Sequence, residues 1–255
     1  MPTVHFMGYV EPREYNLRVE NITPIYEKDK NTDIITSYTL IIWDSIIGVE
    51  CESSEVKPEY ISNLWTRSLE LVGVVTNLVG LKHGWSLTVH IDTFIREDGW
   101  EERLLNRGDS LSGLIDAYTL DDIDALFNEI SCNVDAFMIL QAMMRAISAP
   151  RMVSIECARV VDAIRYAIAP DKKPLPGWKM VHAALNADQE YIKLITDKSK
   201  SSRHGNHDFL SVDEAEQVLG RTWTLFNRYL HYSKNAPKPL PVEKFHQLHD
   251  SPKLQ

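Results

Sequence analysis

A chain of 255 residues, 44% hydrophobic and 25% charged, with 11 Gly and 12 Pro, is long enough for one large or two modest globular domains and is neither disordered nor fibrous in composition. Three widely spaced cysteines, Cys51, Cys132 and Cys157, form no CxxC pair, which excludes a disulfide framework or a zinc knuckle and predicts reduced thiols in a cytoplasmic protein. The formal net charge of −9 conceals a split: residues 1–134 hold 10 Lys and Arg against 23 Asp and Glu, residues 135–255 hold 17 against 13, which predicts two units with different partners.

The first residues, Met-Pro-Thr-Val-His-Phe, lack the basic-then-apolar pattern of a secretion signal. Val4–Val10 and Tyr15–Ile22 read as short strands on either side of Glu11-Pro12-Arg13. Asp29–Asp33 is a polar turn cluster, and Tyr38–Trp43 and Ile46–Cys51 flank Asp44-Ser45, a tight hairpin turn. Pro58 then opens a helix, since proline suits a first turn whose N–H groups are unpaired anyway. Ile61, Leu64, Trp65, Ser68, Val72, Val75, Thr76 and Val79 form its apolar stripe, and Gly80 and Gly84 bracket its end. From Trp85 to Ile95 apolar and polar residues alternate, the period of a half-buried strand, and Asp98-Gly99 marks a turn. Residues 1–118 are therefore expected to form a mostly antiparallel β-sheet with one covering helix.

From Thr119 the period becomes helical. Helices are predicted over 120–130, 134–148, 153–168, 177–186, 188–200 and 212–232. Thr119-Leu-Asp-Asp122 and Ser211-Val-Asp-Glu214 have the form of capping boxes. The longest apolar helix, Val134 to Ala149, contains Asp135 and Arg145 and is too short to span a bilayer, so no membrane partner is expected. A helical bundle over 119–236 and an extended tail over 237–255, with Pro237, Pro239 and Pro241, complete an α+β protein.

Chemistry is concentrated in Thr196–Asp208, where Lys198, Lys200 and Arg203 supply cations suited to phosphate and His204 and His207 supply imidazoles that titrate near neutral pH. The same cations could instead complement the negative end of a helix dipole, with Gly205 as the left-handed stop. Gly108-Asp-Ser-Leu111 spells an esterase motif but no Asp-x-x-His follows it. Gly205-Asn-His-Asp208 spells a fragment of the dinuclear phosphoesterase pattern without its other ligand motifs. His246-x-x-His249 offers a metal only two ligands, and HExxH, P-loop and GxGxxG patterns do not occur. Trp65, Trp85, Trp178 and Trp223 fall on apolar faces and are expected in the core, and exposed stacking stays open for Trp100.

A helical segment ending in a basic, Ser-rich run and Arg203-His204-Gly205, followed by a capped amphipathic helix, resembles the HEPN superfamily over residues 135–235. The resemblance implies an α-helical bundle, often dimeric, that in many members is a metal-independent, cofactor-free ribonuclease of bacterial defence or toxin–antitoxin systems. It assigns proton transfer to His204, phosphate contacts to Lys198, Lys200 and Arg203, and supporting roles to Glu156, Arg159 and His207. The spacing departs from the family's Arg-x(4–6)-His: Arg203 is adjacent to His204, and Lys198-x5-His204 takes its place. On a solvated helix face, Glu156 would simply pair with a neighbouring Lys or Arg. Two functions follow as expectations: an RNA-cleaving effector acting through His204, or a non-catalytic protein whose helical half dimerises and whose acidic half binds a protein partner.

Overall fold

Alternation of period two builds the first part of the chain. In the computed structural model, which describes residues 1–20, 22–29, 33–103, 111, 114, 116, 117, 123–171, 173–203, 210–234 and 236–249, six strands form one antiparallel sheet. They are β1 (Thr3–Glu11), β2 (Ile25–Lys28), β3 (Ile35–Trp43), β4 (Ile46–Ser53), β5 (Thr88–Arg96) and β6 (Glu101–Arg103), in the order β2-β3-β4-β1-β5-β6. The inward residues Phe6, Leu40, Ile42, Ile47, Val49, Cys51, Ile91 and Phe94 are buried. Against them lies α1 (Pro58–His83), which buries Leu64, Trp65, Ser68, Val72 and Thr76 of the predicted stripe and ends at Gly84 with φ 69°. The Trp65 indole N–H donates to the Ile91 carbonyl at 2.9 Å, which satisfies the one polar atom of a buried ring.

Asp44 and Ser45 both have positive φ, 49° and 64°, as a two-residue hairpin with the twist of its strands requires. The strand expected over Tyr15–Ile22 does not form. Arg13–Tyr15 is a 3-10 turn, Asn16 adopts a left-handed conformation at φ 45°, and past that break Val19 bridges Ile42 alone. The sheet edge goes instead to β2, which the alternation did not reveal because it is only four residues long.

The chain divides into two units, Met1–Asn106 and Arg107–Gln255. Described helices of the second are α2 (Ile123–Cys132), α3 (Val134–Ser148), α4 (Val153–Ile168), α5 (Pro174–Leu185), α6 (Gln189–Arg203) and α7 (Val212–Ser233). The α+β class is as expected. Helix α5 starts three residues before the predicted 177, because Pro174 occupies its first turn rather than standing outside it. The Thr119–Asp122 box lies outside the described residues.

Helix α4 is the pivot of this unit and packs against α3, α5, α6 and α7. Its Cys157, Val160, Val161 and Ile164 meet Ile139 and Met143 of α3, Ile195 of α6 and Val218 and Leu219 of α7 in one core. The tail folds back onto this unit. Leu240 N–H donates to Ala184 O at 3.0 Å and Leu248 N–H to Asn186 O at 2.8 Å. The buried Arg228 guanidinium donates to the Leu185, Asn186 and His246 carbonyls. His249 sits on Asp188 at 2.9 Å, so its imidazole is used in docking the tail. No helix among the described residues is long and apolar enough to cross a membrane.

Candidate functional site

The site is assembled around the first turns of α4. Glu156 stands there because a carboxylate is favoured near a helix N-terminus, where unpaired N–H groups carry partial positive charge. The pivotal position of α4 then buries it to 2% exposure, so its charge needs partners. It has two. Arg145 Nε, from the end of α3, donates to Glu156 Oε2 at 3.2 Å, and Arg159 Nη1, one turn along α4, donates to Oε1 at 2.5 Å. The arginine side chains remain 48% and 58% exposed, so one buried carboxylate holds two cations that reach the surface. The cluster carries a net positive charge and can accept an anion in the fork geometry that guanidinium offers.

Glu156 is therefore not on a solvated helix face. Its pairing with Arg159 follows the expected i, i+3 spacing, but its burial comes from the packing of α3 and α6 around α4, which the spacing does not encode. Arg145 was not anticipated as a site residue. The signal for it is in the chain all the same: it is a lone cation inside the apolar run of α3.

The end of α6 meets this region through Ser202, whose hydroxyl lies 3.4 Å from that of Ser154 in the first turn of α4. Lys198, one turn earlier, extends to Glu214 of α7, and Lys200 pairs with Asp197 at 2.6 Å. Glu214 also completes the predicted capping box: Ser211 Oγ accepts from Glu214 N at 3.3 Å, and Glu214 Oε2 accepts from Ser211 N at 2.9 Å. The Lys198 ammonium above all, together with Ser211, lowers the Glu214 carboxyl from 4.5 to about 2. Lys198 thus braces α6 against α7, the two helices that flank the 204–209 segment.

The backbone of Arg203 closes α6. His204, His207, Gly205-Asn-His-Asp208 and Gly108-Asp-Ser of the esterase-like motif lie outside the described residues. The Cys51 and Cys157 thiols are pushed up to about 12 by burial, so neither is poised as a nucleophile. Trp65 is buried, as its place on an apolar face predicted, and Trp100 is exposed.

A buried carboxylate holding two half-exposed guanidiniums on the helical unit makes up the candidate site. Residues 4–105 match the model of the DUF8168 N-terminal domain and residues 123–234 that of the DUF8168 C-terminal domain, both described as domains of unknown function. The two matches follow one another in order and together span most of the chain, which belongs to this two-domain family. No significant match to the chain is found among curated proteins or among solved structures.

Proposed function

We propose that the helical unit is a HEPN-like domain that cleaves RNA without a metal ion, with His204 as the proton-transfer group and Arg145 and Arg159 as phosphate contacts. The observation that carries this reading is the Arg145–Glu156–Arg159 cluster, set at the helix turn that also touches the end of α6. In such a reaction the ribose 2′-oxygen attacks the adjacent phosphorus and the P–O5′ bond breaks. An imidazole near neutral pKa serves either as base toward the 2′-OH or as acid toward the leaving 5′-oxygen. Guanidiniums aimed at the phosphate stabilise the charge that builds on its oxygens.

A second reading is favoured by the fact that Lys198 and Lys200 both sit on carboxylates rather than facing an open anion site. On that reading the helical unit is a dimerising interaction module, and the basic run only braces helices. RNA cleavage in the presence of chelator separates the two. Cleavage by the wild type that is lost in His204→Ala supports the nuclease, and equal behaviour of the two proteins supports the interaction module.

A further inference from the structure

The face of the sheet not covered by α1 breaks the rule that an exposed antiparallel face carries polar side chains. Cross-strand register sets its outward residues in rows. Trp43, Ile46 and Tyr9 form one row across β3, β4 and β1, and Ile41, Gly48 and Met7 form the next. Of these Met7, Ile41, Trp43 and Ile46 are exposed large apolar side chains, gathered on neighbouring strands rather than scattered. Gly48 carries no side chain at their centre, and the Ile41 side chain leans over it: a Cβ built there would meet Ile41 at 3.1 Å. The following rows are Thr39, Glu50 and His5, then Ser37, Glu52 and Thr3, so carboxylates stand one and two rows from the apolar residues, Glu50 with the His5 imidazole at 3.7 Å.

The chemistry of an occupant follows from what this face already uses. The Arg18 guanidinium lies 4.2 Å from the Trp43 ring, and the Tyr9 ring has Arg13 at 4.1 Å and His90 at 4.8 Å. The aromatic surfaces are thus occupied from within, which disfavours stacked bases. The aliphatic surfaces of Ile41, Ile46 and Met7 are open. The cations at the rim are committed too: Arg18 pairs with Asp44 at 2.8 Å and Lys28 with Asp33 at 2.8 Å. Residues 1–106 hold 9 Lys and Arg against 17 Asp and Glu, so the surrounding field attracts positive charge and repels phosphate.

We infer that this face docks a basic amphipathic segment of a partner protein. Aliphatic side chains of the partner pack on the exposed apolar surface of Met7, Ile41, Trp43 and Ile46, and its Lys or Arg side chains meet Glu50 and Glu52. This surface is independent of the reading of the helical unit and stands or falls separately from it.

The test uses the full chain and three short peptides of equal length: alternating Leu and Lys, alternating Leu and Glu, and alternating Ser and Lys. Calorimetric titration is expected to give binding of the Leu–Lys peptide about tenfold tighter than either control, since both the apolar and the charged contribution are needed. The Ile41→Thr/Ile46→Thr variant, which keeps β-branched residues, should weaken that binding about tenfold. Glu50→Gln/Glu52→Gln should weaken it several-fold and flatten its salt dependence. Should the threonine variant melt early, Met7→Gln, which keeps the side chain's length at an exposed position, serves in its place. Equal binding of the three peptides, or wild-type affinity in the variants, overturns the proposal. So does tighter binding of an oligouridylate to this face, which makes the occupant RNA. A wild-type dimer that dissociates in the threonine variant makes it a second copy.

Discussion

Glu156 is satisfied by two arginines, and this redundancy shapes what substitution does. Removing either cation leaves the buried carboxylate one partner, whereas removing both strands a charge at a site with 2% exposure. Arg145→Met or Arg159→Met alone should cost about 1 kcal/mol, and the double variant about 3–5 kcal/mol, the range for an uncompensated buried charge. A double-mutant cycle by chemical denaturation checks this; additive losses would mean that Glu156 does not couple the two. The Lys198–Glu214 pair makes a separate prediction with a definite sign. Glu214 is held near 2 in the folded state against an ordinary 4.5, so its contribution is present above about 4.5 and fades as pH falls toward 2. Both side chains are more than a third exposed, so the pair is worth no more than about 1 kcal/mol. Lys198→Met should lower stability by that amount at pH 7 and make no difference at pH 2. A constant difference across that range would contradict the assignment. At this scale the sequence exposed the i, i+3 pairing of Glu156 with Arg159, because helix geometry alone fixes it. It hid Arg145, because contact across two helices depends on packing.

Elements were legible where local chemistry decides them. The Ser211-Val-Asp-Glu214 box predicts a helix start, and the structure forms both of its reciprocal bonds. The Asp44-Ser45 turn likewise follows from two short strands in register. Tyr15–Ile22 failed for a reason of the same kind: a left-handed Asn16 and a 3-10 turn end the extended run, and β-branched composition cannot report that. The hairpin is pinned by more than its dihedrals. Ser45 is fully buried, and its hydroxyl accepts from Leu17 N–H at 3.0 Å, which ties the loop after β1 to the turn. Ser45→Ala should therefore cost about 1–3 kcal/mol, the penalty for an orphaned buried donor, with loss of the transition midpoint in urea as the readout. An unchanged midpoint would mean that this loop contributes nothing to the first unit.

For the whole molecule, the charge split of the sequence does not coincide with the units of the fold. Residues 107–255 hold 18 Lys and Arg against 19 Asp and Glu, because the acidic stretch over 107–134 falls with the helical unit. That unit is nearly neutral, so the RNA recognition proposed for it would rest on a few placed guanidiniums rather than on a basic surface. Two phosphate contacts, from Arg145 and Arg159, predict a shallow salt dependence of single-stranded RNA affinity, a log–log slope of about −1.4. A slope near −4 would reveal a broad cationic surface that the charge count does not support. The sequence boundary at 118 and the structural division after Asn106 enclose a stretch that lies mostly outside the described residues. The density of phosphate-suited groups at 196–208 was legible in the sequence; the Arg145–Glu156–Arg159 cluster was not, because packing of one helix on another assembles it.

The most direct measurement is cleavage of a single-stranded RNA by the purified full chain in chelator, comparing wild type, His204→Ala and Arg159→Ala. The account predicts cleavage by the wild type, loss of it in His204→Ala, and a drop of about one to two orders of magnitude in Arg159→Ala with folding retained. Activity indistinguishable across the three proteins, or absent from the wild type, would contradict it.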